Sequence, residues 1–287
     1  VDLQSRITGP TFVKVWDTPD STYSERMKHV VEPHLTLQRT SKIDQFNEIV
    51  RLEGVDFIMG NTTQVSYGLT NRMYARLAAD SGAGAIRQIL TVGLTQTYYT
   101  NDQAAQFDRR FSTSFNDTSP SNFSPVTLTV RGVPTDDLST SMRAEYDTKF
   151  NALRTIGING TYDFKNLIQA TAGWSQRRLV EDLEGFNNPH QSDHYLHAQT
   201  RVQNRGNTLG GSYTMHYDLL RGRLLQQGVG VYYNAQCCGV SVDYQEFNFQ
   251  GIGQRAPVPQ DHRLNFSFTL AGLNTFTSAF GANGGSR

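Results

Sequence analysis

The chain has 287 residues, 37% of them hydrophobic, with 26 basic against 26 acidic side chains and a net charge of zero. No basic block exists to meet a phosphate backbone, so nucleic acid is excluded as a partner. Mean hydropathy is −0.48, and no apolar run is long enough for a membrane-spanning helix.

The chain opens in mid-pattern at Val1-Asp2-Leu3, with no initiator Met and no leader, which reads as a piece of a longer protein. Alternation of period two then predicts about thirteen strands of roughly 10–14 residues. In the second, Met27, His29, Val31, Pro33, Leu35 and Leu37 oppose Lys28, Glu32, His34, Thr36 and Gln38. In the third, Val65, Tyr67, Leu69, Met73, Ala75 and Leu77 oppose Gln64, Ser66, Thr70, Arg72 and Arg76. Further on, Leu138, Thr140, Met142, Ala144 and Tyr146 oppose Ser139, Ser141, Arg143, Glu145 and Asp147. The pattern returns at Leu209–Asp218 and at Leu264, Phe266, Phe268 and Leu270. Alternation sustained this long puts an apolar phase on one face and a wet one on the other.

Two classes fit, a soluble antiparallel sheet that binds a ligand outside the cell and an outer-membrane barrel. Strands of a soluble sandwich usually run about 5–6 residues, and those here are longer. Aromatic residues gather near strand ends at Trp16, Tyr98, Tyr99, Trp174, Tyr232 and Tyr233, where a membrane barrel carries its interfacial girdles. Every long connection also falls on one side: Ser41 to Gly60, Asn101 to Asn122, Leu179 to Ser192 and Phe247 to Gln260. The opposite side has tight links, among them Asp80 to Gly84, Asp163 to Asn166 and Gln203 to Asn207. Short periplasmic turns and long outer loops are the outer-membrane arrangement. The expectation is an all-β, antiparallel, up-and-down transmembrane barrel in the cell outer membrane.

Few residues suggest site chemistry. His190, His194 and His197 cluster in sequence, but His194 and His197 fall on opposite strand faces, which suits a polar loop better than a metal. Gly251-Ile-Gly253 has no helix after it to hold a phosphate. Glu181 and Asp182 sit in an expected exposed loop. No catalytic motif, cofactor site or metal site is read, so an enzyme is not expected. Pro33 interrupts a strong strand, as a tolerated bulge or a functional weak point. The two cysteines are adjacent, Cys237-Cys238, after a turn of the tight-link side. Neighbouring Cα atoms lie about 3.8 Å apart, so a bridge within the pair is strained. The pair reads as two small hydrophobes, as half a metal site with the wrong spacing, or, favoured in an oxidising compartment, as two thiols bonded to partners outside this chain.

Three stretches carry a family resemblance: His29-Val-Val-Glu-Pro-His-Leu-Thr-Leu, Val65-Ser-Tyr-Gly-Leu-Thr-Asn-Arg-Met-Tyr, and Tyr232-Tyr-Asn-Ala-Gln-Cys-Cys-Gly-Val-Ser-Val-Asp-Tyr with the later strand ending Leu270-Ala-Gly-Leu-Asn. They resemble the C-terminal half of the LptD family of lipopolysaccharide-assembly proteins. The resemblance implies a barrel of about 26 strands, of which residues 1–275 supply the second half. Residues 276–287 would be a flexible Gly/Ser-rich tail. It implies disulfides from Cys237 and Cys238 to two cysteines of the N-terminal part. It also implies a lumen plugged by an LptE-like lipoprotein, and delivery of lipopolysaccharide by a periplasmic bridge protein. A lateral gate would involve the last strand, roughly Arg263 to Asn274, with Leu264, Phe266, Phe268 and Leu270 as gate candidates. Arg72, Arg76, Glu145 and Asp147 are the lumen-facing candidates. A general porin or solute channel is the alternative within the membrane class.

Overall fold

A computed structural model describes residues 1–42, 61–78, 84–101, 121–183, 186–235, 237–248 and 260–270 in full, and the backbone of 274–280. The strands are β1 (Asp2–Thr8), β2 (Phe12–Asp17), β3 (Ser24–Thr40), β4 (Thr62–Leu77), β5 (Ile86–Tyr99), β6 (Val126–Gly132), β7 (Leu138–Asp147), β8 (Ala152–Phe164), β9 (Ile168–Arg177), β10 (Asp193–Gln203), β11 (Leu209–Asp218), β12 (Arg223–Asn234), β13 (Cys238–Asn248), β14 (Gln260–Leu270) and β15 (Asn274–Phe280). From β3 onward each pairs with the next in chain order, while β1 and β2 both pair with β3. The architecture is all-β, antiparallel and up-and-down. Among the described residues no helix is long and apolar enough to cross a membrane, and a short 3-10 turn lies at Pro189–Gln191.

The chain divides into two compact units, one of Val1–Thr135, Thr140–Gly157 and Gln176–Ser192, the other of Asp136–Ser139, Ile158–Ser175 and Asp193–Arg287. In the first unit, β1 and β2 act as one interrupted strand. The register runs from Asp2↔Thr40 to Thr8↔His34 and resumes at Phe12↔Val31. Three residues, Gly9, Pro10 and Thr11, therefore oppose two, Glu32 and Pro33, which is a bulge. Gly9 N–H donates to the Pro33 carbonyl at 2.9 Å. The return bond is missing because proline has no N–H. A Cβ on Gly9 would stand 2.8 Å from Pro33 Cγ, so the position needs glycine for space. Pro33 thus directs its missing donor at the bulge and stays in register with Leu69 of β4 on its other side.

In the second unit, strands β10 to β14 pair in close register, from Tyr195↔Asp218 through Cys238↔Leu270. The turn between β8 and β9 has Lys165 and Asn166 at φ 51° and 56°, closed by Leu167 N–H on the Phe164 carbonyl at 2.8 Å. Two left-handed residues in a two-residue loop match the right-handed twist of the flanking strands. At the next turn on that side Asn207 takes φ 51°, and the Asn204 carboxamide oxygen accepts from Thr208 N–H at 2.8 Å.

Two expectations about the C-terminal end are corrected. The strand beginning near Arg263 is not the last: β14 ends at Leu270, and β15 pairs with it from Leu270↔Asn274 to Leu264↔Phe280. β15 also crosses the boundary drawn between 275 and 276. Its run Asn-Thr-Phe-Thr-Ser-Ala-Phe alternates well enough for a strand, but the Gly/Ser-rich residues beyond it masked that signal. Most of the expected loops at 41–60, 101–122 and 247–260, most of the turn at 80–84, Gly251-Ile-Gly253, and tail residues 281–287 lie outside the described residues.

Candidate functional site

Cross-strand partners share a face, so the registers sort the side chains. In the first unit one face carries Glu32, His34, Thr36, Ser66, Arg72, Thr95, Thr97, Thr127, Thr129, Arg143 and Glu145. The other carries Leu35, Leu37, Val65, Tyr67, Leu69, Leu94, Leu128, Ala144 and Tyr146. In the second unit Gln199, Arg201, Ser212, Thr214, Gly228, Gly230, Ser241 and Asp243 share the polar face. Leu209, Tyr213, Val229, Val231, Tyr233, Val240, Tyr244, Leu264, Phe266 and Phe268 lie on the apolar face and are exposed. Buried side chains include Gln64, Ser66, Thr97, Thr127, Glu145, Asp147, Arg154 and Asp218. Polar groups inside and large hydrophobics outside invert the pattern of a water-soluble domain, and suit a wall between lipid and a wet interior.

Several charges on the polar side are paired. Arg72 bonds Glu32. Glu145, 1% exposed, accepts from Arg143 Nη2 at 2.8 Å. Asp147 takes Arg154 Nε at 2.7 Å and also accepts from Lys149 N–H at 2.8 Å and Phe150 N–H at 3.0 Å. Its carboxylate so fastens the β7–β8 turn. Asp218 accepts from Arg221 Nη1 at 2.7 Å, and this bond raises the Arg221 guanidinium above its ordinary value. The four expected lumen-facing residues occupy the polar side of their strands. Arg76 pairs in register with Arg26, which binds Asp17 at 2.6 Å.

The expected girdle needs correction at two positions. Neighbours along a strand point to opposite faces, so Tyr98-Tyr99 and Tyr232-Tyr233 cannot both face outward. Tyr99 is fully buried. Tyr232 shares the polar face and lies over Gly210, where a Cβ would stand 2.4 Å from its ring. Tyr233 is exposed on the apolar face.

The histidines separate as expected. His194 Nε2 accepts from Trp174 Nε1 at 2.7 Å, whereas His197 stacks on His216 with centroids 6.0 Å apart. Among the described residues no group of three or more metal-ligating side chains forms. Cys237 is exposed at the turn and Cys238 begins β13, with their sulfurs 3.3 Å apart and both thiols free. A disulfide needs about 2.05 Å. Leu264, Phe266, Phe268 and Leu270 sit on β14, paired on both sides.

Two features escaped the sequence reading. An apolar groove of about 470 Å3 lies beside the Gly9–Pro33 bulge, lined in part by Ile7, Leu35, Leu69, Leu94 and Val126. The connection from Leu179 to Ser192 is also not wholly exposed. Val180, Leu183 and Phe186 are buried together against Phe150 and Ala152, and Arg177 lies over the Phe186 ring at 4.2 Å. Their spacing of three was the available signal, obscured by Glu181 and Asp182.

A family model described as LPS transport system D, LptD, matches residues 42–205, more than half of the chain. The chain belongs to the LptD family. It is therefore an outer-membrane protein of lipopolysaccharide transport, a transport and assembly family, and its β-sheet is part of a transmembrane barrel wall. No curated protein matches it. Among solved structures, a triple mutant of the Rhodopseudomonas blastica porin is 8% identical, with 97% of this chain and 93% of that chain covered and a TM-score of 0.35. A double mutant of that porin is also 8% identical, covering 97% and 95%, with a TM-score of 0.36. Likeness at that level adds nothing to the LptD assignment.

Proposed function

We propose that this LptD-family chain supplies the C-terminal half of a barrel that passes lipopolysaccharide to the outer leaflet. The sugar part travels along the polar face, and the lipid part leaves sideways through a seam at the terminal strands. The observation that carries this reading is the sorted wall itself, polar on one face and apolar on the other, in a chain of a lipopolysaccharide transport family. Arg72, Arg76, Glu145 and Asp147 face the lumen, where an LptE-like lipoprotein plugs the space they do not fill. A periplasmic bridge protein delivers the cargo through the N-terminal part. Cys237 and Cys238 bond to cysteines of that part, and their place at a turn suits a clamp between barrel rim and delivery domain. The seam lies near β14 and β15, with Leu264, Phe266, Phe268 and Leu270 lipid-facing beside it. No step breaks or makes a bond in the cargo.

The test is a photoreactive residue at Ser241 or Thr214, both on the polar face, in the full-length protein in cells. Lipopolysaccharide adducts at these positions, and none at Val229 or Val240 on the apolar face, are expected. Adducts absent from both faces while the protein is folded and the cells export lipopolysaccharide would remove the conduit reading.

A further inference from the structure

A polar cavity of about 280 Å3 opens at the turn end of β8–β11 in the second unit. Its lining includes Asp163, Gln169, Arg201, Gln203 and Asn207. Several of these groups are fixed in advance. Gln203 Nε2 donates to the Asn166 carbonyl at 2.8 Å, and its Oε1 accepts from the Tyr232 hydroxyl at 3.2 Å. Tyr232 is itself seated over Gly210. Asp163 Oδ1 accepts from Asn166 N–H at 3.0 Å and holds its own turn. The Arg201 guanidinium lies over the Tyr232 ring, 5.7 Å from its centroid.

The cavity also holds groups with nothing to bind. Among the described residues Arg201 meets no carboxylate, the Gln169 carboxamide makes no hydrogen bond, and Asp163 Oδ2 is free. Two other arginines of this unit do have carboxylate partners: Arg263 with Asp261, and Arg221 with Asp218. An unpaired guanidinium braced on an aromatic ring is a receptor for an oxyanion, because the planar fork loses little freedom on binding. The free amide and free carboxylate oxygen beside it offer a donor and two acceptors, which suits neighbouring hydroxyls. A carboxylate facing the cavity disfavours a ligand that is anionic all round. Drug-sized ligands fill pockets of about 300–1,000 Å3, so this one suits a single ring.

We propose that this cavity is a saccharide subsite that takes one sugar ring bearing a phosphate or carboxylate. The anion sits on Arg201, and ring hydroxyls meet Gln169 and Asp163 Oδ2. The proposal rests on the conduit reading and deepens it: the subsite lies at the turn end of the wall, where a sugar chain would first meet the polar face.

The test has two arms, both on the full-length protein. In detergent, saturation-transfer NMR is read with glucose 6-phosphate, glucose and inorganic phosphate as separate probes. Glucose 6-phosphate should bind more tightly than either of the others. Arg201→Ala should weaken it about ten-fold, the value of one charge-assisted hydrogen bond, and Arg201→Lys should restore part. Equal binding by Arg201→Ala, or phosphate alone binding as well as the sugar phosphate, overturns the subsite. In cells, a photoreactive residue at Gln169 should yield a lipopolysaccharide adduct that Arg201→Ala reduces, while the adduct at Ser241 persists. Ser241 labelled and Gln169 unlabelled removes the subsite and spares the conduit. Neither labelled removes both. A protein adduct at Gln169 in place of lipopolysaccharide makes this surface a seat for the plug and overturns the proposal.

Discussion

Asp147 and Arg154 have side chains only 6% and 7% exposed. Burying two charges costs desolvation, and the bond between them offsets it only while both are present. Asp147→Asn or Arg154→Met alone should therefore destabilise the full-length protein by about 3–5 kcal/mol, read from its denaturant midpoint. A double change to uncharged residues of similar volume should cost less than either single one. Single variants as stable as the parent would mean that water reaches the pair. Arg26 and Asp17, both exposed, are the contrast, and Arg26→Ala should cost less than about 1 kcal/mol. Cys237 and Cys238 call for a different measurement. Non-reducing peptide mapping of the full-length protein should find both bonded upstream, and replacing both by serine should impair export more than it harms the strands. Two closures of long loops would also stabilise by about 4–5 kcal/mol each on the chain-entropy model. A Cys237–Cys238 bridge, or two free thiols in active protein, would end the clamp.

At the scale of the strand, the Gly9–Pro33 bulge shows how much of the wall a sequence discloses. Alternation placed the faces of β3, β4, β7, β11 and β14 correctly, because a period of two is a local property of each strand. Pro33 was legible as an interruption, but its partner was not: the half-made pair with Gly9 depends on register across 24 residues of chain. The same limit hid Tyr232 over Gly210, since glycine on one strand makes room for a ring on the next. It also hid β15, whose partner β14 decides whether Thr275–Phe280 is strand or tail. The polar cavity was invisible for a related reason, as its lining comes from two hairpins. Substitutions at the bulge should behave unequally. Gly9→Val should destabilise by about 1–3 kcal/mol, because its side chain meets Pro33 at a distance no packed pair accepts. Pro33→Ala should stay within about 1 kcal/mol of the parent, as the regained N–H offsets the lost rigidity. Hydrogen exchange is the finer test: Gly9 to Phe12 should exchange faster than Tyr67 to Met73, and Pro33→Ala should slow it. Uniform protection along β1, β2 and β3 would show that the bulge is as tight as the ladder beside it.

For the molecule as a whole, the sorting of connections carries an orientation. The described turns after β8, β10 and β12 are short and fall on one side of the up-and-down order, whereas the connection after β9 runs from Arg178 to Ser192 and has its own buried trio. A soluble meander has no reason to sort its links this way, but an outer-membrane wall does, with turns in the periplasm and loops outside. The apolar face suits a wall that spans lipid, and link length then predicts which way up it stands. Single cysteines placed in a Cys237→Ser, Cys238→Ser background give the test. Between Asp44 and Gly54, and between Ala104 and Thr118, they should react with an impermeant thiol reagent on intact cells. At Gly82 and Asn204 they should react only after the outer membrane is opened. Asn204 is the most telling of these, because its side chain is exposed at a turn that also borders the polar cavity. Labelling at Asn204 in intact cells would invert the wall and carry the cavity to the outer rim, where a sugar chain leaves rather than arrives.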